Sequence, residues 1–207
     1  MDYSIVILNL DRRPDRMEHM KNEMNKFSNI YQRFSAIDTG SPYGIFQSVN
    51  KILDETDKEQ ILILQDDCVF YDYSKKLWDE NINDVPDDWD IILGGIHTGE
   101  IDKHINKHII KINKFTGLQM ALFKTSSKEK FKHYKGDMPF DWYLGLLADK
   151  KKLNIYCIVP YCSIQQDGYS DLRKRDCQDR RYFLRGEKKI LDKMKSLYKC
   201  DYDECLK

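Results

Sequence analysis

The sequence predicts a single α/β domain with a mixed, mostly parallel central sheet flanked by helices. Short apolar runs alternate with amphipathic stretches of helical period in the first third of the chain. This β-α-β order favours parallel strands, whereas the closely spaced apolar segments in the middle of the chain predict an antiparallel excursion. A chain of 207 residues is also long enough to bury about 70% of its unfolded surface in one core.

The composition excludes several classes of protein. Hydrophobic residues make up 41% of the chain and aromatic residues 12%, which argues against a disordered polypeptide. The 34 Lys and Arg residues balance the 34 Asp and Glu residues, so we expect no nucleic-acid partner. Neither a membrane span nor a signal peptide is visible. We therefore expect a cytoplasmic protein, whose oligomeric state the sequence leaves open.

The six cysteines form no CxxC pair and have no matching histidine cluster. This arrangement favours buried, reduced thiols over a zinc site or a set of disulfides. If a disulfide exists, Cys200 and Cys205 are the best candidates, because they flank a short acidic segment and would close a small loop.

The N-terminal third predicts two strands and two helices. Residues 4–10 suit a strand, and Pro14 stands in the first turn of a helix with an apolar face of Met17, Met20, Met24 and Phe27. A loop over residues 40–44 precedes a second helix with an apolar face of Phe46, Val49, Ile52 and Leu53. Residues 61–64, with the sequence ILIL, are typical of a fully buried central strand.

The rest of the chain predicts further strands and helices. Strands are expected over residues 89–93, 108–112, 118–123 and 153–159, and helices over residues 126–135, 140–151 and 178–198. We interpret residues 1–207 as one domain, with a core over about 4–171 and a basic helical C-terminal extension over about 172–207.

Charge is distributed unevenly along the chain. Nine acidic residues and two lysines lie within residues 66–90, and eleven basic and four acidic residues lie within residues 173–199. These acidic and basic zones are either two solvated helical faces or two sides of one cleft that binds a cation and a polyanionic ligand. The second alternative predicts that both zones face the same cleft.

An acidic pair follows the predicted central strand. Asp66 and Asp67 come directly after ILIL and Gln65, at the strand end where ligands collect in open α/β sheets. Adjacent carboxylates are costly there unless something positive holds them. Mg²⁺ or Mn²⁺, held by one or two carboxylates and completed by phosphate and water, would do so. A plain turn or helix cap is the alternative.

Several motifs occur in order along the chain. They are VILNLDRRPDRMEHM, GIFQS, ILILQDDCVF, PDDWDIILGG, FTGLQMALFK and SDLRK. Together they resemble glycosyltransferase family 25, which includes bacterial lipooligosaccharide galactosyltransferases and collagen hydroxylysine galactosyltransferases. The resemblance runs from about residue 5 to residue 171, and NLDRRPDR is its longest and most specific motif.

The resemblance implies a GT-A-type fold and a function. A hexose would pass from UDP-galactose or UDP-glucose to a hydroxyl of a glycan or a collagen-like hydroxylysine, with inversion and with Mn²⁺ or Mg²⁺ bound. By position, the nucleotide donor site would include Leu8, Asn9, Leu10, Arg13, Arg16, Ser48, Asp66, Thr116 and Gly117. Arginines at a helix start suit a diphosphate, because the guanidinium fork pairs with phosphate oxygens.

Two positions depart from the family pattern. The acidic motif commonly begins with Glu where this chain has Gln65, and a Ser-His pair of the family is Ser48-Val49 here. The late histidine that many metal-dependent GT-A enzymes bring to the metal is also missing. We expect Asp67, Asp66 and Gln166 as metal ligands, with Gln165, Asp167 or water as alternatives for the third position.

An inverting transfer also needs a general base and a stabilising charge. Asp141 is the candidate base, because it stands in PFDWYLG, where a helix begins among aromatic residues that can stack on sugars. Asp137 is the competing candidate. Arg173, followed by Lys174 and Arg175, is a candidate for stabilising the leaving diphosphate.

The leading hypothesis is therefore a metal-dependent glycosyltransferase that uses a UDP-sugar. One alternative is a catalytically weak or silent member that binds a nucleotide-sugar, which the departures at Gln65 and Val49 favour. The other is a different α/β nucleotidyl or phosphotransfer enzyme, although no P-loop motif is present.

Overall fold

The computed structural model describes residues 1–202. Its strands are β1 (Ser4–Asn9), β2 (Gln32–Ser35), β3 (Gln60–Gln65), β4 (Cys68–Phe70), β5 (Ile91–Leu93), β6 (Thr98–Asn106), β7 (Ile109–Thr116), β8 (Met120–Lys124), β9 (Ile155–Ile158), β10 (Ser163–Gln165), β11 (Gly168–Ser170) and β12 (Arg175–Cys177). Its helices are α1 (Pro14–Met24), α2 (Pro42–Glu55), α3 (Ser74–Asn81), α4 (Lys128–Phe131), α5 (Phe140–Asp149) and α6 (Asp179–Tyr198). Short 3₁₀ turns cover Ile82–Asp84 and Thr125–Ser127.

An eight-stranded sheet in the order β2-β1-β3-β8-β5-β9-β7-β6 forms the centre of the molecule. The pairs β1/β2, β1/β3 and β5/β9 are parallel, and the other four pairs are antiparallel. Six strands therefore run in one direction, and only β7 and β8 run against them. This arrangement confirms the predicted mixed, mostly parallel sheet.

Helices cover both faces of this sheet. Alternate residues of β1 point to opposite faces, so that Val6 and Leu8 join one apolar cluster and Ile7 joins another. Helices α2, α5 and α6 pack in the first cluster, and α1 and α3 pack in the second. The central strands are buried on both sides, which explains why β3 reads as the continuous apolar run ILIL.

The predicted elements differ from the structure mainly at their ends. Both α1 and α2 begin at a proline, so α2 starts inside the segment that we expected to be a loop. The helix expected over residues 126–135 is shorter, since only Lys128–Phe131 is α-helical. Gly136, with a φ of +81°, follows in the left-handed region that ends regular structure.

Two strands of the central sheet were not predicted. β2 and β6 lie at the two edges of the sheet and are largely exposed, so they lack an alternating apolar pattern. The regularly spaced lysines and histidines of residues 103–114 belong to the β6/β7 hairpin at one edge. Helix α3 was also missed.

The C-terminal segment is integrated in the core. Phe183, Ile190 and Met194 of α6 lie in the same apolar cluster as Val6 and Leu8. The five cysteines of the described residues are buried free thiols, as expected; Cys205, the suggested partner of Cys200, lies outside the described residues. A search of residues 1–202 finds no helix with the length and apolarity needed to cross a membrane.

Candidate functional site

A cavity of about 630 Å³ opens where β1, β2 and β3 end. Its walls include the first turns of α2, α5 and α6 and the tip of the β11/β12 hairpin. This is the edge at which open α/β sheets bind ligands, and the volume suits a small-molecule site.

The acidic pair lies in the wall of this cavity. Asp66 and Asp67 are 7% and 4% exposed, respectively. The amide of Asn9 donates a hydrogen bond of 2.7 Å to Oδ2 of Asp66, and the amide of Gln165 donates one of 2.5 Å to Oδ2 of Asp67. Oδ1 of Asp67 is buried without a hydrogen-bond partner.

Arg16 is the cation that pairs with both carboxylates. Its Nη1 lies 2.8 Å from Oδ1 of Asp66 and 3.2 Å from Oδ2 of Asp67, and its Nη2 donates to the backbone carbonyl of Tyr169. Burial raises the pKa of the Asp67 carboxyl, and the charge of Arg16 opposes that rise. One guanidinium thus offsets part of the negative charge of the two carboxylates.

The donor set fits a hard divalent cation that keeps water or phosphate in its shell. The described residues contain no group of three or more His, Cys, Asp or Glu side chains that would enclose a metal. However, Mg²⁺ needs only one or two carboxylates, and the unpartnered oxygen of Asp67 is available. Of the two neighbouring glutamines, Gln165 lines the cavity, whereas Gln166 is placed outside its lining and reaches the Asp67 carbonyl through its backbone N–H.

Asp141, the candidate base, lines the same cavity at the start of α5. Oδ2 accepts a 2.7 Å hydrogen bond from the amide of Gly117, and Oδ1 accepts one of 3.0 Å from the amide of Trp142. Burial raises the pKa of Asp141, and these two donors oppose that rise. Asp137, the competing candidate, is exposed and does not belong to the cavity lining.

An ion pair whose acidic member the sequence did not reveal lies in the same cavity lining as Asp141. Asp179, the first residue of α6, is 3% exposed and accepts bonds of 2.8 and 2.9 Å from Arg173. His97 Nε2 lies 3.9 Å from Asp179, and burial lowers the pKa of His97 to about 4. The only sequence signal for Asp179 was an acidic residue at the start of a basic helix, which the helix dipole explains equally well.

Most of the residues expected to bind nucleotide line the cavity. These are Leu8, Leu10, Arg16, Ser48, Asp66, Thr116, Gly117 and Arg173. Ser48 is fully buried there, and its hydroxyl bonds the Gly44 carbonyl and the Ile37 amide, so it holds the loop before α2. Two of the expected residues lie outside the lining. Asn9 donates a hydrogen bond to the Asp66 carboxylate, and Arg13 pairs with Asp15 and Asp171.

The acidic and basic zones meet only at their ends. Asp66, Asp67 and Arg173 line one cavity. However, α3, which carries part of the acidic zone, packs on the opposite face of the sheet from α6. The expectation that both zones face one cleft is therefore wrong for most of their length.

Comparisons with known proteins found similar structures only. No protein-family model and no curated protein matches the sequence. Solved structures with a similar arrangement include CMP:2-keto-3-deoxy-manno-octonic acid synthetase complexed with CTP, with a TM-score of 0.49 and 9% identity over 78% of this chain and 92% of that chain.

Two further structures are glycosyltransferases. One is a Drosophila β1,4-galactosyltransferase 7 mutant in complex with manganese, UDP-Gal and xylobiose, with a TM-score of 0.43 and 8% identity over 86% of this chain and 71% of that chain. The other is a mannosyltransferase from Pyrobaculum calidifontis in complex with GDP-Man and Mn²⁺, with a TM-score of 0.44 and 7% identity over 74% of this chain and 53% of that chain. The resemblance to family 25 therefore continues to rest on the sequence motifs.

Proposed function

We propose that this chain is a glycosyltransferase that moves a hexose from a UDP-sugar to an acceptor hydroxyl with inversion. One observation carries the proposal: a single cavity is lined by an acidic pair at the end of β3, by Arg16 and by the half-buried Asp141. An inverting transfer needs these groups together, because donor, leaving group and base act on one anomeric carbon.

The half of the cavity between β1 and α2 would hold the nucleotide. Leu8, Ile37 and Ile45 offer apolar surface there, and Ser48 fixes the loop before α2. Arg16 stands next to this surface, where it would pair with the diphosphate. A divalent cation held by Asp66 and Asp67 would supply Lewis-acid stabilisation of the leaving diphosphate.

Asp141 would serve as the general base. Its two backbone hydrogen bonds fix the carboxylate and leave lone pairs free, since an ionised carboxylate has about four acceptor sites. The acceptor hydroxyl would give its proton to Asp141 while its oxygen attacks the anomeric carbon, and the nucleoside diphosphate leaves on the other side. Asp179 is less suitable, because Arg173 already occupies both of its oxygens.

The mouth of the cavity favours a glycan over hydroxylysine as the acceptor. Trp142 and Tyr182 line the cavity and are nevertheless 54% and 42% exposed, which suits stacking on a sugar ring. The cavity lining carries six aspartates against three arginines, so its charge would not repel the ammonium group of a hydroxylysine side chain, and the preference for a glycan rests on these two aromatic rings.

A donor screen with Mn²⁺ tests the proposal. Calorimetry with UDP, UDP-glucose, UDP-galactose and UDP-N-acetylglucosamine should detect binding that Asp67→Asn weakens. UDP release should then depend on a saccharide acceptor. The absence of any UDP or UDP-sugar binding would contradict the proposal, and binding without turnover on any acceptor would instead support a silent nucleotide-sugar-binding protein.

A further inference from the structure

Arg16 holds both members of the acidic pair. Its side chain is 14% exposed, and those of Asp66 and Asp67 are 9% and 6% exposed. Two adjacent carboxylates at this depth repel each other and are costly to desolvate, so they need a compensating charge. Arg16 supplies that charge from within the chain.

Arg16 occupies two oxygens of the acidic pair that a divalent cation would otherwise share with the unpartnered Oδ1 of Asp67. Its Nη1 contacts Oδ1 of Asp66 and Oδ2 of Asp67, while Asn9 and Gln165 donate to Oδ2 of each carboxylate. Only Oδ1 of Asp67 lacks a partner. A guanidinium and a divalent cation this close would also repel each other, so the two compete for the pair.

A diphosphate bound in the same cavity would be a second anionic partner for Arg16. Arg16 lines the wall that we assign to the nucleotide, and its Nε is buried without a hydrogen-bond partner. A diphosphate would satisfy that donor and would pair with the guanidinium fork more strongly than a carbonyl such as that of Tyr169 does.

We infer that Arg16 is an internal counter-ion that exchanges between the acidic pair and the diphosphate, so that metal and nucleotide bind cooperatively. Without nucleotide, Arg16 holds Asp66 and Asp67 and keeps divalent-cation affinity low. When the diphosphate takes up Arg16, the two carboxylates become free for the cation. Linkage requires the reverse as well, so Mn²⁺ raises the affinity for UDP by the same factor. This inference rests on the proposed function.

Mn²⁺ binding without nucleotide tests the exchange directly. Electron paramagnetic resonance of free Mn²⁺ would give the dissociation constant for the wild type and for Arg16→Gln, each with and without UDP. We expect Arg16→Gln to bind Mn²⁺ more tightly than the wild type in the absence of UDP, by roughly 5-fold or more, within the range of typical coupling between sites. We also expect UDP to enhance Mn²⁺ binding less in the variant than in the wild type.

Two control variants distinguish the effect of the contact between Arg16 and the acidic pair from the effect of a positive charge alone. Arg13→Gln removes an equal charge from the same motif, but Arg13 contacts Asp15 and Asp171 instead of the acidic pair; it should change Mn²⁺ affinity much less. Arg16→Lys keeps the charge and should leave Mn²⁺ affinity low, and it provides the comparison if Arg16→Gln does not fold. Where Arg16→Gln folds, added Mn²⁺ should raise its Tm more than that of the wild type.

The outcomes distinguish the two proposals. Equal Mn²⁺ affinity in wild type, Arg16→Gln and Arg13→Gln, with normal UDP enhancement, would overturn the exchange and leave the glycosyltransferase proposal intact. An increase in Arg13→Gln as large as that in Arg16→Gln would also overturn it, because net charge alone would then explain the result. Failure of every protein to bind Mn²⁺, even with UDP, would overturn both the exchange and the metal-dependent function.

Discussion

The backbone amide of Gly117 donates a 2.7 Å hydrogen bond to Oδ2 of Asp141. Gly117 has a φ of +99°, and a Cβ at this position would lie 2.9 Å from the backbone nitrogen of His97. The close approach of three segments at this point therefore requires glycine. The amide of Gly117, in the connection between β7 and β8, thereby fixes the carboxylate of Asp141, the candidate base.

Gly117→Ala should lower both stability and transfer activity. The strained backbone and the contact with His97 should cost about 1–3 kcal/mol of unfolding free energy, measured by denaturant titration. Gly40→Ala is the control for stability, because Gly40 also has a positive φ but would have no atom within 4 Å of its Cβ. A loss in Gly117→Ala no larger than that in Gly40→Ala would show that the contact with His97 is unimportant.

Asp141→Asn should abolish transfer and retain donor binding. Loss of a general base typically costs about 10²- to 10⁴-fold in rate. Donor binding should remain, because Asp66 and Asp67, and not Asp141, would face the donor phosphates. Single-turnover kinetics and UDP calorimetry measure the two effects separately. Asp137→Asn, which changes an exposed carboxylate outside the cavity, should retain activity; if it loses activity instead, Asp137 is the base.

The pH dependence of transfer should report the environment of Asp141. Burial raises the pKa of this carboxyl above its usual value, and a base acts only when ionised. The rate should therefore fall as the pH falls through this raised pKa, at a higher pH than an exposed aspartate would give. For stability the sign is opposite: the folded state holds this proton more tightly than the unfolded state, so the contribution of Asp141 to stability decreases as the pH rises between the two pKa values.

Variants of the Arg173–Asp179 pair should move the pKa of His97 in opposite directions. Burial lowers that pKa to about 4, Asp179 raises it and Arg173 lowers it further. Arg173→Gln should therefore raise the pKa of His97, and Asp179→Asn should lower it. NMR titration of the five histidines, with His97→Gln for assignment, measures both shifts. Arg175→Gln, an exposed charge on the same hairpin, should have a smaller effect, and equal shifts in all three variants would contradict the assigned contacts.

Tryptophan fluorescence should report acceptor binding. Trp78 and Trp89 are 0% and 3% exposed, whereas Trp142 is 54% exposed, so iodide should quench Trp142 selectively and quench Trp142→Phe much less. With UDP and Mn²⁺ present, millimolar lactose should protect Trp142 from iodide, because a sugar face would cover the indole. Protection by free hydroxylysine and not by lactose would contradict the preference for a glycan.

The elements that the sequence predicted best are those buried on both faces. β1 and β3 appear as uninterrupted apolar runs, and α1 includes Pro14 in its first turn as predicted, since burial and the fixed φ of proline are recorded locally in the residue types. The start of α2 at Pro42 was instead assigned to a loop. The edge strands β2 and β6 were missed because exposed strands need no apolar alternation. Asp66, Asp67 and Asp141, which line the cavity, could be selected as candidates from the sequence because each stands directly at the boundary of a predictable element.

The sequence by itself determined that this protein is an α/β domain and that an acidic pair follows a buried strand. The tertiary structure alone decided that Arg16 pairs with both carboxylates, that the side chain of Gln165 bonds the Asp67 carboxylate, and that Asp179 and His97 line the same cavity as the candidate base. The physical reason is strand pairing: β1 lies beside β3, which brings the start of α1 to the acidic pair, and β10 pairs with β4, which brings Gln165 to Asp67. Residue patterns record which face of an element is buried, but contacts between distant segments depend on how the strands are ordered in space.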